Sequence, residues 1–367
     1  MSEIFPLAQK PAPRVALVGG QWAQNVGNAF FNLGGEYVLK RVFGEDAVGF
    51  FQDQPNYRTL HNKFKGNPET YVDFAQYLDI DYLVVQGPVL GGWIRESWEK
   101  AFRALRDNGV KVIFLSSAFF KFTDKEIAAV KSFLEEYPPY LISTRDDRTY
   151  GIIKDWLPGV PKYDGIDSGY FLNRCVNPFK VREGFRYITS NFDRYPEPEL
   201  FSSDPGDKYN SRQVEIEGKT YFVSVPKFLD KYAHKGKIKG YLADYFDKRK
   251  LPETFDGRLI VRPEHRFFPH ITHKIYRQSN ATASDEPWTY INIYANADFT
   301  LSDRVHACVA TLAFGGKAML FTPSPRSALF GRIGAGDVRN KLVDIDLEML
   351  HEEQEKEIAW LKETLLG

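Results

Sequence analysis

The feature of this chain that most restricts its fold is an alternation of two hydrophobic periods. Short apolar runs ending in glycine or a polar turn are each followed by a segment whose apolar residues recur at helical spacing. Arg14–Gly20 (RVALVGG) reads as a buried parallel strand feeding a tight turn. From Asn28 onward, Phe30, Leu33, Tyr37 and Val38 predict a helix that stops near Gly44. Asp81–Gly87 (DYLVVQG) is a second such strand, and Trp98, Phe102 and Leu105 mark the helix after it. Val110–Ala118 predicts a third strand, and Thr123-Asp-Lys-Glu126 a capping box ahead of the stripe Ile127, Val130 and Leu134. Tyr140–Thr144 predicts a fourth, followed by a helix carrying Tyr150, Ile153 and Trp156. Repeated βα units of this kind predict a parallel sheet covered by helices on both faces.

The alternation lapses around Phe171–Val181 and returns afterwards. Strands are expected at Phe185–Asn191, Arg258–Arg262, Asp298–Leu301 and Lys317–Thr322, with a helix over Ser302–Phe314. The polar stretch from Asn191 to about Gly218 reads as an excursion. The expected fold class is α/β, with two Rossmann-like domains facing a cleft. Residues 1–175 form the first domain, 176–340 the second, and 341–367 an amphipathic helix with Leu347, Leu350, Ile358, Leu361 and Leu365 on one face.

Composition narrows the function classes. Lys+Arg and Asp+Glu are 48 each, so the chain lacks the positive excess that a general nucleic-acid binder uses to displace counterions. Two cysteines, Cys175 and Cys308, allow neither a disulfide framework nor a four-thiolate metal site. No apolar run approaches the ~18–20 residues of a membrane span, and MSEIFPLAQKPAP lacks the pattern of a signal peptide. The expected location is the cytoplasm, with peripheral contact at the inner membrane surface left open.

In open α/β sheets, ligands bind beyond the carboxyl ends of the strands. After the first strand, Gln24-Asn-Val-Gly-Asn28 puts amides and a glycine ahead of a helix start, which suits an anion or an ordinary cap and turn. Gly87-Pro-Val-Leu-Gly-Gly92 reads as a loop open to close backbone approach, with Gly87 at its start. Arg145, in Ser143-Thr-Arg-Asp-Asp147, either offers its donor fork to phosphate or carboxylate or pairs locally with Asp146. In Thr300-Leu-Ser-Asp-Arg-Val-His306, Ser302 can cap the helix that follows, with Arg304 and His306 in its first turn. There the helix dipole favours an anion and lowers the proton affinity of histidine, which suits acid–base work near neutrality. Arg262 and His265, just past a strand, could reach the same anion. His265, His270 and His273 fit no zinc spacing, so no metal is expected. Between Lys227 and Lys250 eight Lys/Arg face three Asp with aromatics interleaved, a solvated surface or one for an acidic glycan or a lipid carrier's phosphates.

Taken in order, these segments resemble the polysaccharide pyruvyl transferase family. Asn25-Val-Gly-Asn28 matches its Asn-x-Gly-Asp/Asn loop, Asp81–Gly92 stands at its glycine-rich loop, and Ser143-Thr-Arg-Asp146 matches its Ser-x-Arg-Asp element. Ser302-Asp-Arg-Val-His306 matches its Ser-x-Arg-hydrophobic-His element, while Gly316-Lys-Ala318 lacks the proline of its Gly-x-Pro strand. The resemblance covers roughly residues 14 to 335 and implies a fold similar to the GT-B glycosyltransferases. It implies an enzyme that moves the pyruvyl group of phosphoenolpyruvate onto two hydroxyls of a saccharide or lipid-linked saccharide, forming a ketal. Under it, Arg145 and Arg304 would clamp the donor's anionic groups, with His306 contacting the donor and moving protons. Ser302, Asn25, Asn28, Gly87, Arg262 and His265 would bind substrate, and no cofactor would be required.

Two alternatives stand beside this reading. One is a sugar-nucleotide glycosyltransferase of GT-B architecture, which nucleoside diphosphates should inhibit. The other is a non-catalytic glycan-binding protein, which has no need of an Arg–His pair at a helix start.

Overall fold

The computed structural model describes residues 12, 14–23, 25–53, 71–193, 195–233, 237–265, 278–322 and 324–367. Apolar runs with little polar interruption give the first sheet its strands: β1 (Val15–Gly19), β2 (Val48–Gln52), β3 (Tyr82–Leu90), β4 (Lys111–Phe119), β5 (Leu141–Thr144) and β6 (Lys162–Asp164). They run parallel in the order β2-β1-β3-β4-β5-β6. Helices α1 (Gly27–Phe43), α2 (Ile94–Asp107), α3 (Asp124–Glu136) and α4 (Asp147–Ile153) connect them, and a short α5 (Leu172–Cys175) leads out of the sheet.

The second half contains β7 (Tyr187–Asn191), an antiparallel trio β8 (Glu199–Phe201), β9 (Tyr209–Ile216) and β10 (Lys219–Pro226), and helices α6 (Lys227–Ala233) and α7 (Lys237–Phe246). Then come β11 (Thr254–Phe255), β12 (Arg258–Glu264), β13 (Ala281–Ala283), α8 (Pro287–Ala295), β14 (Phe299–Ser302), α9 (Val305–Ala313), β15 (Lys317–Leu320) and α10 (Leu347–Leu366). Its sheet runs β11-β12-β7-β14-β15. In both sheets the first parallel strand lies between the second and the third, so each half has a topological switch point beside its first strand. Crevices that take ligands form at such points, outside the strands' carboxyl ends.

The two Rossmann-like halves are packed together. Val26, Ala29 and Phe30 of the α1 segment meet Tyr290 and Tyr294 of α8 and Ala307 and Ala310 of α9 in one buried cluster. Alanines at these contacts let the helix backbones approach closely. A larger cluster joins Val15, Leu17, Val84 and Ile113 of the first sheet to Val309 and Leu312 of α9 and to Leu350, Ile358 and Leu361 of α10. Each fully buried Leu or Ile contributes about 1.5–3 kcal/mol relative to exposure. The last helix therefore returns to the first half, with Leu347 left partly exposed at its start.

Several boundaries differ from the sequence reading. Strands β2 and β6 were not expected; the latter has three residues, too few to show a period. Gly87 does not open a loop: β3 runs on to Leu90 through a register shift at Gln86/Gly87, where Gly87 takes φ +82°. Helix α4 ends before Trp156, and α9 begins at Val305 rather than Ser302. The polar excursion after Asn191 folds into the antiparallel trio. Its β9–β10 hairpin turns on Glu217 and Gly218, both at positive φ (51° and 74°), which fits the twist of a two-residue hairpin.

Candidate active site

Both switch points open onto one cleft of about 540 Å³. The first half contributes Asn25, Gly27, Asn28 and Phe31 from the start of α1, Pro88 from β3, and Phe120 and Lys121 after β4. The second half contributes Tyr195, His265, Asp303–His306, Thr322 and Ser324–Arg326. Two helix N-termini thus face each other across the cleft. Neither α1 nor α9 has a side-chain cap, so neither start has its N–H groups taken up in that way. Gly27 makes the approach possible: a Cβ there would lie 3.3 Å from His265 Nδ1 and from His306 Cβ.

Helix α9 is buried at every position except His306, where it meets the cleft. The His306 ring leans on Phe31, with centroids 5.1 Å apart. Its Nε2 points inward, 3.5 Å from Asp167 Oδ1. Asp167 Oδ2 accepts from Arg145 Nη1 at 2.8 Å, and Oδ1 accepts from Gly169 N at 2.9 Å. Burial alone would raise the Asp167 carboxyl, but the positive charge of His306 when it is protonated, that of Arg145 and the Gly169 N–H outweigh it and hold the group well below the carboxylate range. His306 is lowered from its ordinary value, chiefly by burial; Asp167 opposes the shift, and Arg145 and Arg326 add to it. A neutral imidazole with Nε2–H toward Asp167 leaves its lone pair on Nδ1, the nitrogen on the Gly27 side.

The loop holding Asp167 is fixed from three sides. Ser168 N donates to Ser116 Oγ at 2.9 Å, and Ser116 sits at φ +47° in a β4 bulge, a strained position that aims its hydroxyl at this loop. Gly34 of α1 lies so close that a Cβ would stand 1.7 Å from the Ser168 carbonyl oxygen. From α10, Glu357 accepts from Ile166 N at 3.1 Å and from Ser143 Oγ. Burial drives Glu357 up to about 7, against the hydrogen bonds from Ser143 and Ile166.

Of the residues singled out from sequence, Asn25, Asn28, His265, Arg304 and His306 come together on the cleft wall. Asn25 Nδ2 donates to Asn28 Oδ1, and Asn28 Nδ2 to the Gln21 carbonyl. His265 Nε2 is 2.6 Å from the Tyr294 hydroxyl. Arg304 Nε donates to Asp193 Oδ2 at 2.7 Å, and Asp303 accepts from Tyr195 N.

The other four lie elsewhere. Arg145 is only 1% exposed and stands behind His306, bound to Asp167, so it is no anion clamp; nor does it pair with Asp146, which caps α4 through Thr149 N. Arg262 is buried against Glu197 and the carbonyls of Ser279 and Pro252. Gly87 packs against Phe31 inside β3. Ser302 accepts from Arg304 N and donates to Asn191 Oδ1, a turn ahead of α9 rather than a cap on it. Among the described residues, no three of His, Cys, Asp and Glu are placed to hold a metal ion. Gln24, His270 and His273 lie outside the described residues.

Sequence reasoning missed Asp167, Lys121, Tyr195 and Arg326. The available signal for Asp167 was Asp-Ser-Gly169, an aspartate capping a turn beyond a short strand.

No family model matches the chain, and no curated protein matches it. Among solved structures it is similar to the UDP co-structure of S. aureus MnaA, at 10% identity over 96% of this chain and 90% of that one, with a TM-score of 0.48. It is also similar to the Methanocaldococcus jannaschii UDP-GlcNAc 2-epimerase in complex with UDP-GlcNAc and UDP, at 11% identity, 94% and 92% coverage and a TM-score of 0.45. A third is the glycotransferase of kitacinnamycin, at 12% identity, 97% and 95% coverage and a TM-score of 0.35.

Proposed function

We propose that this chain is an enzyme that takes an anionic, phosphate-bearing donor into the cleft and transfers a group from it to a saccharide. The observation that carries this reading is the Arg145–Asp167–His306 chain, which ends at the start of α9 in a cleft lined by Lys121, Arg304 and Arg326. A buried carboxylate that fixes one imidazole nitrogen leaves the other as a general base and stabilises the imidazolium that forms. The cations and the two helix starts suit phosphate and carboxylate oxygens.

Within that class, pyruvyl transfer from phosphoenolpyruvate is the finer reading, supported by the resemblance and by the meeting of its Asn25–Asn28 and Ser302–His306 elements at one cleft. In this chemistry the donor's methylene carbon takes a proton and an acceptor hydroxyl adds to the adjacent carbon, giving its proton to His306 Nδ1. The C–O bond to phosphate breaks with its electrons on phosphate, and the second hydroxyl closes the ketal as its proton passes to the departing phosphate, so the proton taken up at the methylene carbon is balanced by the one given to His306. Arg304 and Lys121 would hold the phosphate and carboxylate. Arg145 acts only through Asp167.

A sugar-nucleotide donor is the second reading, favoured by the aromatic rings of Tyr195 and Phe120 on the wall of a cleft of about 540 Å³. Melting curves with phosphoenolpyruvate and with nucleotide sugars decide between the two. A ligand at 100 times its Kd adds ~2.7 kcal/mol to stability. The first reading requires a shift with phosphoenolpyruvate that Arg304→Ala weakens, together with ketal formation that His306→Ala abolishes. A shift with the nucleotide sugar alone moves the assignment to a glycosyltransferase, and silence with both overturns the donor site.

A further inference from the structure

We propose that the outer face of α6 and α7 docks on an anionic lipid surface. In this segment Phe228, Tyr232, Leu242, Tyr245 and Phe246 are 63%, 54%, 48%, 47% and 64% exposed. Side chains of this size are rarely left outward together on two consecutive helices of a water-facing surface. Lys227, Lys231, Lys239, Lys248 and Lys250 are exposed among them, with Lys248 Nζ 5.2 Å from the Tyr245 ring centroid. Of the acidic side chains described in this segment, half-buried Asp230 accepts from Asn210 Nδ2, and Asp247 is buried on Arg249. Among the described side chains of 227–250 no carboxylate is exposed.

The charge argument is local. The whole chain is neutral, yet Lys227–Lys250 holds eight Lys/Arg against three Asp, a net of +5 within it. Aromatic and aliphatic side chains beside lysines on short helices are what an interfacial segment needs. The rings enter the headgroup region, and the ammonium groups meet the negative surface potential. A neutral protein partner would match the rings but not the excess charge. Behind this face Asp230 and Tyr195 line a small pocket of about 130 Å³, and Tyr195 borders the main cleft as well. That a membrane-held acceptor would reach the cleft past Tyr195 rests on the proposed function; the docking itself does not.

The full chain is sedimented with vesicles of phosphatidylcholine alone and with vesicles of phosphatidylcholine and phosphatidylglycerol, over a range of salt. Binding to the anionic vesicles is expected, weakening as salt rises. Lys231→Glu with Lys239→Glu should lower the partition coefficient more than about tenfold. Phe228→Ser with Phe246→Ser should release the protein at salt concentrations that the native chain withstands. Equal affinity for both vesicles, no binding, or native binding by both variants would each overturn the proposal, as would self-association of the native chain lost in the Phe variant. Both variants change exposed residues, so an unchanged melting curve serves as the folding control. Vesicle binding needs no donor, so a failed donor shift with intact binding would sink the enzymatic reading and leave this one standing.

Discussion

Replacing Asp167 by Asn removes a charge around which three groups are arranged. The carboxylate takes Arg145 Nη1 at 2.8 Å and Gly169 N at 2.9 Å and lies 3.5 Å from His306 Nε2. Asparagine keeps the shape and can still accept from Gly169, but it leaves the guanidinium of Arg145, 1% exposed, without a counter-charge. Breaking a buried pair in this way costs about 3–5 kcal/mol. For a chain of 367 residues, with an unfolding entropy of about 2.1 cal/mol/K per residue, that lowers Tm by about 4–7 °C. The imidazole responds as well. Asp167 is the group that raises His306 against burial, so its neutralisation should move the His306 titration further toward acid. Thermal melts and the imidazole C–H resonances report the two effects separately. Removing both charges, in Arg145→Met with Asp167→Asn, should cost less than the sum of the single changes by about 0.5–3 kcal/mol. An unshifted melt and an unmoved His306 resonance in Asp167→Asn would refute the linkage, as would strict additivity in the double variant.

Other consequences can be checked in the same preparations. Gly34→Ala should destabilise the fold by several kcal/mol and cut turnover, because its Cβ would strike the Ser168 carbonyl at 1.7 Å and push the Asp167 loop off α1; unfolding curves and activity measure both. Glu357, raised to about 7, binds its proton more tightly folded than unfolded. Its contribution is therefore fully present below about pH 4.5 and is lost as pH rises through about 7. Glu357→Gln should remove a pH-dependent loss of about 3 kcal/mol between those limits, seen as a flatter stability profile in denaturant titrations at pH 5 and pH 8. Arg262→Met with Glu197→Leu, which takes away a buried pair that does not line the cleft, should leave phosphoenolpyruvate-induced stabilisation at its native size.

What the sequence reveals of the fold depends on element length. Strands that begin with an apolar run and end at glycine, such as Val15–Gly19, are visible because burial on both faces leaves no polar residue to confuse the period. The three residues of β6 carry no period, and β2 mixes Gly49 with two Phe ahead of a glutamine. Gly34 and Gly35 lie inside a helical pattern and look like weak points. Their reason is tertiary, since the Ser168 backbone and the Gln86 side chain occupy the space where their Cβ atoms would be.

The same distinction separates the site residues that could be read from those that could not. His306, Arg304, Asn25 and Asn28 sit at the junction of a strand and a helix in their own segment, and such junctions face the crevice whatever the rest of the chain does. Arg145 also follows a strand, yet β5 is flanked on both sides, and the loop after β6 closes over the arginine and presents Asp167 to it. Position at a strand end therefore placed Arg145 in the right neighbourhood but not on the right side of the wall. Its cation reaches the cleft only as a field, through a carboxylate 22 residues further on. A buried arginine that cannot shed its proton helps to hold that carboxylate ionised, and the carboxylate lies beside Nε2 of His306, which leaves Nδ1 on the Gly27 side. Under the proposed function three residues drawn from two domains would act as one base, and only the last of them lines the cleft.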